Sequence, residues 1–180
     1  MSPATLAPNC SAYFSNIPKS SSLLLSAEVH SENIAKASLV ANPGCYSTGA
    51  ILVLASVVNE GLISPNIVVD SKSSISGAGR TLNLAAHYSE ANEDIHAYSL
   101  ERHRHLAEIE QELQALDLSF FPSITFVPHL VPMTRGMLRT CYAELGDSAK
   151  LTGDSLKQIY RASPYQPCLA NKPLPYSSRC

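Results

Sequence analysis

Concentrated charge of one sign is missing from this sequence. No block of five or six like charges occurs, and the formal net charge is −2 with a pI near 6.3. Neither nucleic acid nor an anionic membrane is therefore an expected partner. Long apolar runs are missing as well. The longest, from Ala50 to Val58, is broken by Ser56 and is far too short to span a bilayer, so a soluble protein is expected. Paired cysteines are absent: Cys10, Cys45, Cys141, Cys168 and Cys180 are scattered and form no CxxC pair. That pattern points away from a disulfide framework and towards a reducing, cytoplasmic setting. No cysteine has a second cysteine or a histidine at zinc-ligand spacing, so no metal site is expected. A GxGxxG fingerprint is also lacking. Gly77-Ala78-Gly79 follows a serine-rich stretch and opens no clear helix, so a dinucleotide fold is not expected in this chain. Acidic residues are missing from positions 1–27, but so are the several basic residues of a transit peptide, Lys19 being the single cation. Residues 1–27 read as a disordered leader, with plastid or mitochondrial targeting as the alternative.

What is present suits one globular domain. The 180 residues are 45% apolar and 16% charged, enough for a real core. From Glu28 onward, helical and strand-like segments alternate. Glu32 to Ala37 reads as a short helix, and Leu39 and Val40 lead into the turn Asn42-Pro43-Gly44. Thr48 to Asn59 is apolar on nearly all sides and stops at Gly61, which predicts a buried helix. Ile67-Val68-Val69 predicts an interior strand. Leu106, Ile109, Leu113 and Leu116 recur at helical spacing, with Glu108, Glu110 and Glu112 elsewhere on the wheel. Ile124 to Val127 and Met137 to Leu145 predict strands separated by a loop holding Pro128 and Pro132. Thr152 starts a last helix, and the proline-rich tail from Pro164 has no periodicity. No repeat is visible. The order predicts an α+β domain with a largely antiparallel sheet.

Four stretches carry chemistry. Cys45 follows a Pro-Gly turn and directly precedes the buried helix. Unpaired N–H groups and the positive dipole end favour a thiolate at such a place, and the same groups bind oxyanions. His103-Arg104-His105 stands just before the amphipathic helix, where imidazoles act as bases and the cation suits an anionic substrate. Ser71 to Arg80 is rich in hydroxyls and free amides, includes Lys72, and reads as an irregular phosphate or carboxylate cradle. Pro128 to Gly136 places His129 and Arg135 between two strands. Taken singly, each stretch is equally compatible with ordinary structure.

Taken together and in order, they carry a resemblance. LVANPGCYSTG around Cys45, then SKSSISGAGR, AYSLERHRHLAEIEQEL and FVPHLVPMTRGML resemble four blocks of the N-acetyl-gamma-glutamyl-phosphate reductases. The similarity runs from about Glu28 to Arg161. It implies the fold of the carboxyl-terminal domain of glyceraldehyde-3-phosphate and semialdehyde dehydrogenase-type enzymes. It also implies an NADP(H)-dependent reduction of N-acetyl-glutamyl phosphate to the semialdehyde, in arginine biosynthesis. By that resemblance Cys45 is the nucleophile that forms a thioester, and His103 or His105 is the acid/base. Ser74, Ser76, Gly77, Arg80, Tyr98, Arg104 and Arg135 are the candidates for holding the substrate. A homo-oligomer is implied too.

The departures shape the expectation. Such reductases begin with a nucleotide-binding domain, which residues 1–27 do not resemble, and their chain returns to it after the position of Arg161. Ser47 stands where proline is usual. The expected division is a leader over 1–27, a catalytic and dimerisation domain over 28–161, and a divergent tail over 162–180. An enzyme that is incomplete in this chain is the main reading. A non-catalytic dimerising module remains open, as does a related aspartate-semialdehyde dehydrogenase or lysine-pathway acyl-phosphate reductase. Surface left uncovered by a missing domain predicts self-association.

Overall fold

The computed structural model describes residues 22–24, 29–37, 39–79, 81–101, 103–146, 150–163 and 165. In chain order these form β1 (Ser22–Leu24), α1 (Ser31–Ile34), β2 (Leu39–Ala41), α2 (Cys45–Asn59) and β3 (Ile63–Ser74). Then come α3 (Tyr88–Ala91), β4 (His96–Ala97), α4 (Arg104–Leu116), β5 (Ser123–Val131), β6 (Met137–Leu145) and α5 (Gly153–Ala162), with two short 3₁₀ turns between β3 and α3.

Helix α2 is apolar on nearly all sides because it is covered on nearly all sides. Ala50, Ile51 and Ala55 are inaccessible, and Leu54 and Val58 almost so. It ends where expected: Gly61 takes φ +62, a left-handed value that costs glycine nothing, and its N–H bonds the Val58 carbonyl at 2.9 Å. Helix α4 lies against it and presents the predicted stripe inward. Ile109 and Leu113 are fully buried in one cluster with Leu54, Val58, Ile67, Val69 and Phe126. Burying each such side chain contributes about 1.5–3 kcal/mol before entropy is counted. Helix α5 docks on α2 through polar ends: Tyr160 donates to the Val53 carbonyl at 2.7 Å, and Ser56 meets Ser163 at 2.7 Å.

The main sheet has the order β4-β5-β3-β6. Strands β4 and β5 are antiparallel, as are β3 and β6, while the long central ladder of β3 with β5 is parallel. The expected α+β class therefore holds, with a mixed sheet whose flanking ladders are antiparallel. A parallel pair needs a long crossover, and residues 75–122 supply it, carrying α4 over one face. Ile67, Val69, Phe126 and Leu130 point to that face. The opposite face is open, with Val68, Leu138 and Tyr142 at 40%, 60% and 57% exposure.

Several expectations need correction. Ser71 to Ser74 is not irregular: β3 continues through it, paired with both β5 and β6. Its serines alternate like any strand residues, and Ser71 and Ser73 take inward positions where small polar groups replace larger ones. Pro128 lies inside β5 rather than in a loop. Its carbonyl faces β4, accepting from the Tyr98 N–H at 3.0 Å, so its missing N–H falls beside the end of a two-residue strand. Glu112 is buried rather than on a wet face, because it pairs with His30 Nε2 at 2.8 Å. Within the expected leader, Ser22–Leu24 pairs in parallel with Leu39–Ala41. An apolar triplet beside a second apolar run satisfies a strand's backbone as readily as it mimics a targeting signal. The remainder of 1–21 and all of 166–180 lie outside the described residues, as does Arg80.

Candidate active site

The carboxyl ends of β3 and β5 and the amino ends of α2 and α4 converge on one cleft of about 520 Å³. Cys45, Tyr46, Ser73, Gly77, Tyr98, His103, Arg104 and His105 are among the residues that line it. Cys45 is the first residue of α2 and is exposed. An α-helix leaves the N–H groups of its first turn without intrahelical partners, so the thiol and several donors share one spot.

The turn before Cys45 is held by α4. The Gly44 N–H donates to Glu108 Oε2 at 3.0 Å, and the Ser47 hydroxyl donates to the same oxygen. Any Cβ on Gly44 would overlap the His105 imidazole, so the close approach of helix to turn requires glycine there. From the other side, Arg139 of β6 donates to the Cys45 carbonyl. Its guanidinium lies 5.9 Å from the centre of the Tyr46 ring and packs against Gly49, where a Cβ would again overlap it.

Aromatic rings form the floor. Tyr46 is buried, packs edge-on to His103 at 5.4 Å, and meets Phe126 at 5.4 Å. The two imidazoles lie 4.7 Å apart. Tyr98 donates to the Tyr46 hydroxyl at 2.9 Å, which donates to the His129 carbonyl at 3.2 Å. Burial, reinforced by that bond to Tyr46, pushes the Tyr98 phenol well above its ordinary range. Burial, with the neighbouring His105 and Arg104 adding to it, holds His103 down at about 4. Burial lowers His105 as well, with Glu108 opposing the shift and Arg104 and Arg139 adding to it. Both imidazoles are thus kept neutral, and a neutral imidazole is what can accept a proton. His103 caps α4, its Nδ1 accepting from the His105 N–H at 3.3 Å.

Of the residues singled out in the sequence, Cys45, Gly77, Tyr98, His103, Arg104 and His105 come together in this cleft. Ser74 is buried behind its wall, 3.3 Å from the exposed Ser76 through their hydroxyls. Arg135 is exposed on the β5–β6 loop and is not among the lining residues. Three residues at the site were not singled out. Tyr46 stands beside Cys45 and could have been read from its position alone. Glu108 sits one helical turn after His105, a spacing that places both on one face. Arg139 had no signal, since only the β3–β6 ladder brings it to α2.

Residues 45–174 match the family model for the semialdehyde dehydrogenase dimerisation domain. The chain belongs to the semialdehyde dehydrogenase family. Its curated relatives include the N-acetyl-gamma-glutamyl-phosphate reductases of Dehalococcoides mccartyi and Heliobacterium modesticaldum, 49% and 46% identical over 134 and 138 residues. Each alignment covers 74% of this chain and 39% of the relative, so the chain spans about two-fifths of their length. Among solved structures, aspartate semialdehyde dehydrogenase II of Vibrio cholerae superposes with a TM-score of 0.58 at 15% identity, covering 83% of this chain and 51% of that one. The Candida albicans aspartate semialdehyde dehydrogenase, solved with NADP, gives 0.57 at 13% identity, covering 84% and 47%. At such identities these two establish the fold of this semialdehyde dehydrogenase chain and nothing finer.

Proposed function

We propose that this chain carries the acyl-transfer half of an N-acetyl-gamma-glutamyl-phosphate reductase. The observation that supports it most is an exposed cysteine on the first turn of a helix, in one cleft with two neutral imidazoles and Arg104. The Cys45 sulfur attacks the carbonyl carbon of the acyl phosphate, and its proton passes to an imidazole. A tetrahedral oxyanion forms against the first-turn N–H groups of α2, then collapses. The carbon–oxygen bond to phosphate breaks, phosphate leaves with the electron pair, and a thioester remains on Cys45. His103 uses Nδ1 as an acceptor, so its neutral form carries the proton on Nε2 and serves as a donor to the substrate. His105 is then the base. Arg104 grips the phosphate or carboxylate, and Gly77 lines the same cleft. Ser74, Ser76, Arg80 and Arg135 stay candidates for the outer part of the substrate.

The family implies NADP(H), but the described residues do not fit a dinucleotide. The turn from β2 into α2 runs from a strand through a glycine into a long helix, as a pyrophosphate cradle does. There the Gly44 N–H is taken by the Glu108 carboxylate, and the glycine face is covered by His105. A carboxylate in that place repels a pyrophosphate, so no step is assigned through the cofactor.

The family's dimerisation role suits the open sheet face, where exposed Val68, Leu138 and Tyr142 offer apolar surface for a second copy to cover.

Alkylation tests the nucleophile. Burial pushes the Cys141 thiol up to about 11, whereas Cys45 is exposed at a helix amino end. Iodoacetamide, with each cysteine followed by peptide mapping, is expected to modify Cys45 at least tenfold faster than Cys141. Equal rates in the folded protein would remove the basis of the reading.

A further inference from the structure

Arg139 is an anomaly of the sheet. It sits in a half-buried position on the core side of β6, in register with Ser71, and burial lowers its guanidinium from its ordinary value. A cation is costly in such a place unless something compensates for the lost water. Among the described residues, no carboxylate forms an ion pair with it. Its partners are the Cys45 carbonyl, the Met137 sulfur at 3.2 Å and the face of Tyr46, and its buried Nε has no hydrogen-bond partner. Gly49, one turn along α2, leaves the space that the guanidinium fills. Apart from Met137 on its own strand, the contacts direct this charge at the first turn of α2, and the thiols of Cys45 and Cys141 and the Tyr46 phenol are the groups whose charge it feels.

We propose that Arg139 is a positioning residue for Cys45, holding the first turn of α2 from behind and placing a permanent positive charge next to the sulfur. This rests on the reading of Cys45 as the nucleophile. The negative charge that develops at Cys45 during acyl transfer then meets a cation already fixed beside it. The other titratable and charged groups around Cys45 are Tyr46 on its own helix and Tyr98 and His96 of the β4 segment. From α4 come His103, Arg104, His105 and Glu108. Arg104 and Arg139 are the two permanent cations in this set, and Arg139 is the one fixed to the Cys45 backbone.

The test compares two alkylating reagents of similar size, anionic iodoacetate and neutral iodoacetamide, acting on Cys45 in the full chain. A charge beside the sulfur favours the anion, whereas a purely structural role slows both reagents alike. Arg139→Met is expected to lower the iodoacetate-to-iodoacetamide rate ratio about threefold, the size of a partly screened unit charge. Arg139→Lys is expected to keep the ratio within about 1.5-fold of the parent, because the charge stays, while losing some absolute rate as the bond to the Cys45 carbonyl loosens. An unchanged ratio in a folded Arg139→Met variant overturns the proposal. Should that variant not fold, Arg139→Lys decides alone, since a threefold drop in its ratio is equally contrary. Failure here with Cys45 still outpacing Cys141 leaves the reading of the nucleophile standing, whereas a slow Cys45 in the parent defeats both.

Discussion

Removing the Glu108 carboxylate should loosen the turn before Cys45 by a calculable amount. One oxygen of Glu108 accepts from both the Gly44 N–H and the Ser47 hydroxyl. Glu108→Ala strands the Gly44 N–H, at about 1–3 kcal/mol, and leaves the Ser47 hydroxyl only the His105 carbonyl at 3.5 Å, at about 1 kcal/mol, so a loss of about 2–4 kcal/mol is expected. Glu108→Gln keeps an oxygen there but loses its charge, and a neutral acceptor is about half as strong, giving about 1–2 kcal/mol. Ser47→Ala removes one donor and should cost about 1 kcal/mol. The two sites share an atom, so their effects should not add: Ser47→Ala combined with Glu108→Ala should fall short of the sum by about 1 kcal/mol. Urea unfolding followed by circular dichroism measures all four. A chain of this size loses about 2–4 °C of melting temperature per kcal/mol, so Glu108→Ala should melt about 4–16 °C lower. Full additivity of the two alanines, or a Glu108→Ala variant as stable as the parent, would refute the idea that α4 holds the turn through this carboxylate.

Other consequences follow from the same contacts. Leu113 is fully buried between α4 and the sheet, so Leu113→Ala should cost about 2–5 kcal/mol in urea unfolding. His103 is held at about 4 in the fold against 6.5 ordinarily, so the unfolded chain takes up the proton first. Its contribution is complete above pH 6.5 and erodes as the pH falls through 4. His103→Asn should flatten the fall of stability with pH across that window, and an unchanged slope would contradict the assignment. Tyr142→Glu places a charge on the open face, and light scattering should show the variant shifting towards monomer if copies pair there.

The sequence was most informative where chemistry is local. The buried helix after Cys45 and the amphipathic stripe of α4 follow from spacing alone, as does the chance that Cys45 and the two histidines stand at helix starts. Two helix amino ends at one cleft is then a matter of packing those stripes against a sheet. What stayed hidden depends on pairing between distant strands. Ser71 to Ser74 lacks strand-like residues and is extended only because β5 and β6 flank it. Pro128 is tolerated because β4 is too short to need its N–H. Arg139 reaches Cys45, and Glu112 stays buried against His30, across 94 and 82 residues of chain.

The most direct test of the central claim is intact-mass analysis of the chain after mixing with N-acetyl-glutamyl phosphate and acid quenching, followed by peptide mapping. One acyl group is expected on Cys45, removable by hydroxylamine as a thioester is, with none in Cys45→Ser. An unmodified Cys45, or acylation spread evenly over the cysteines, would contradict it.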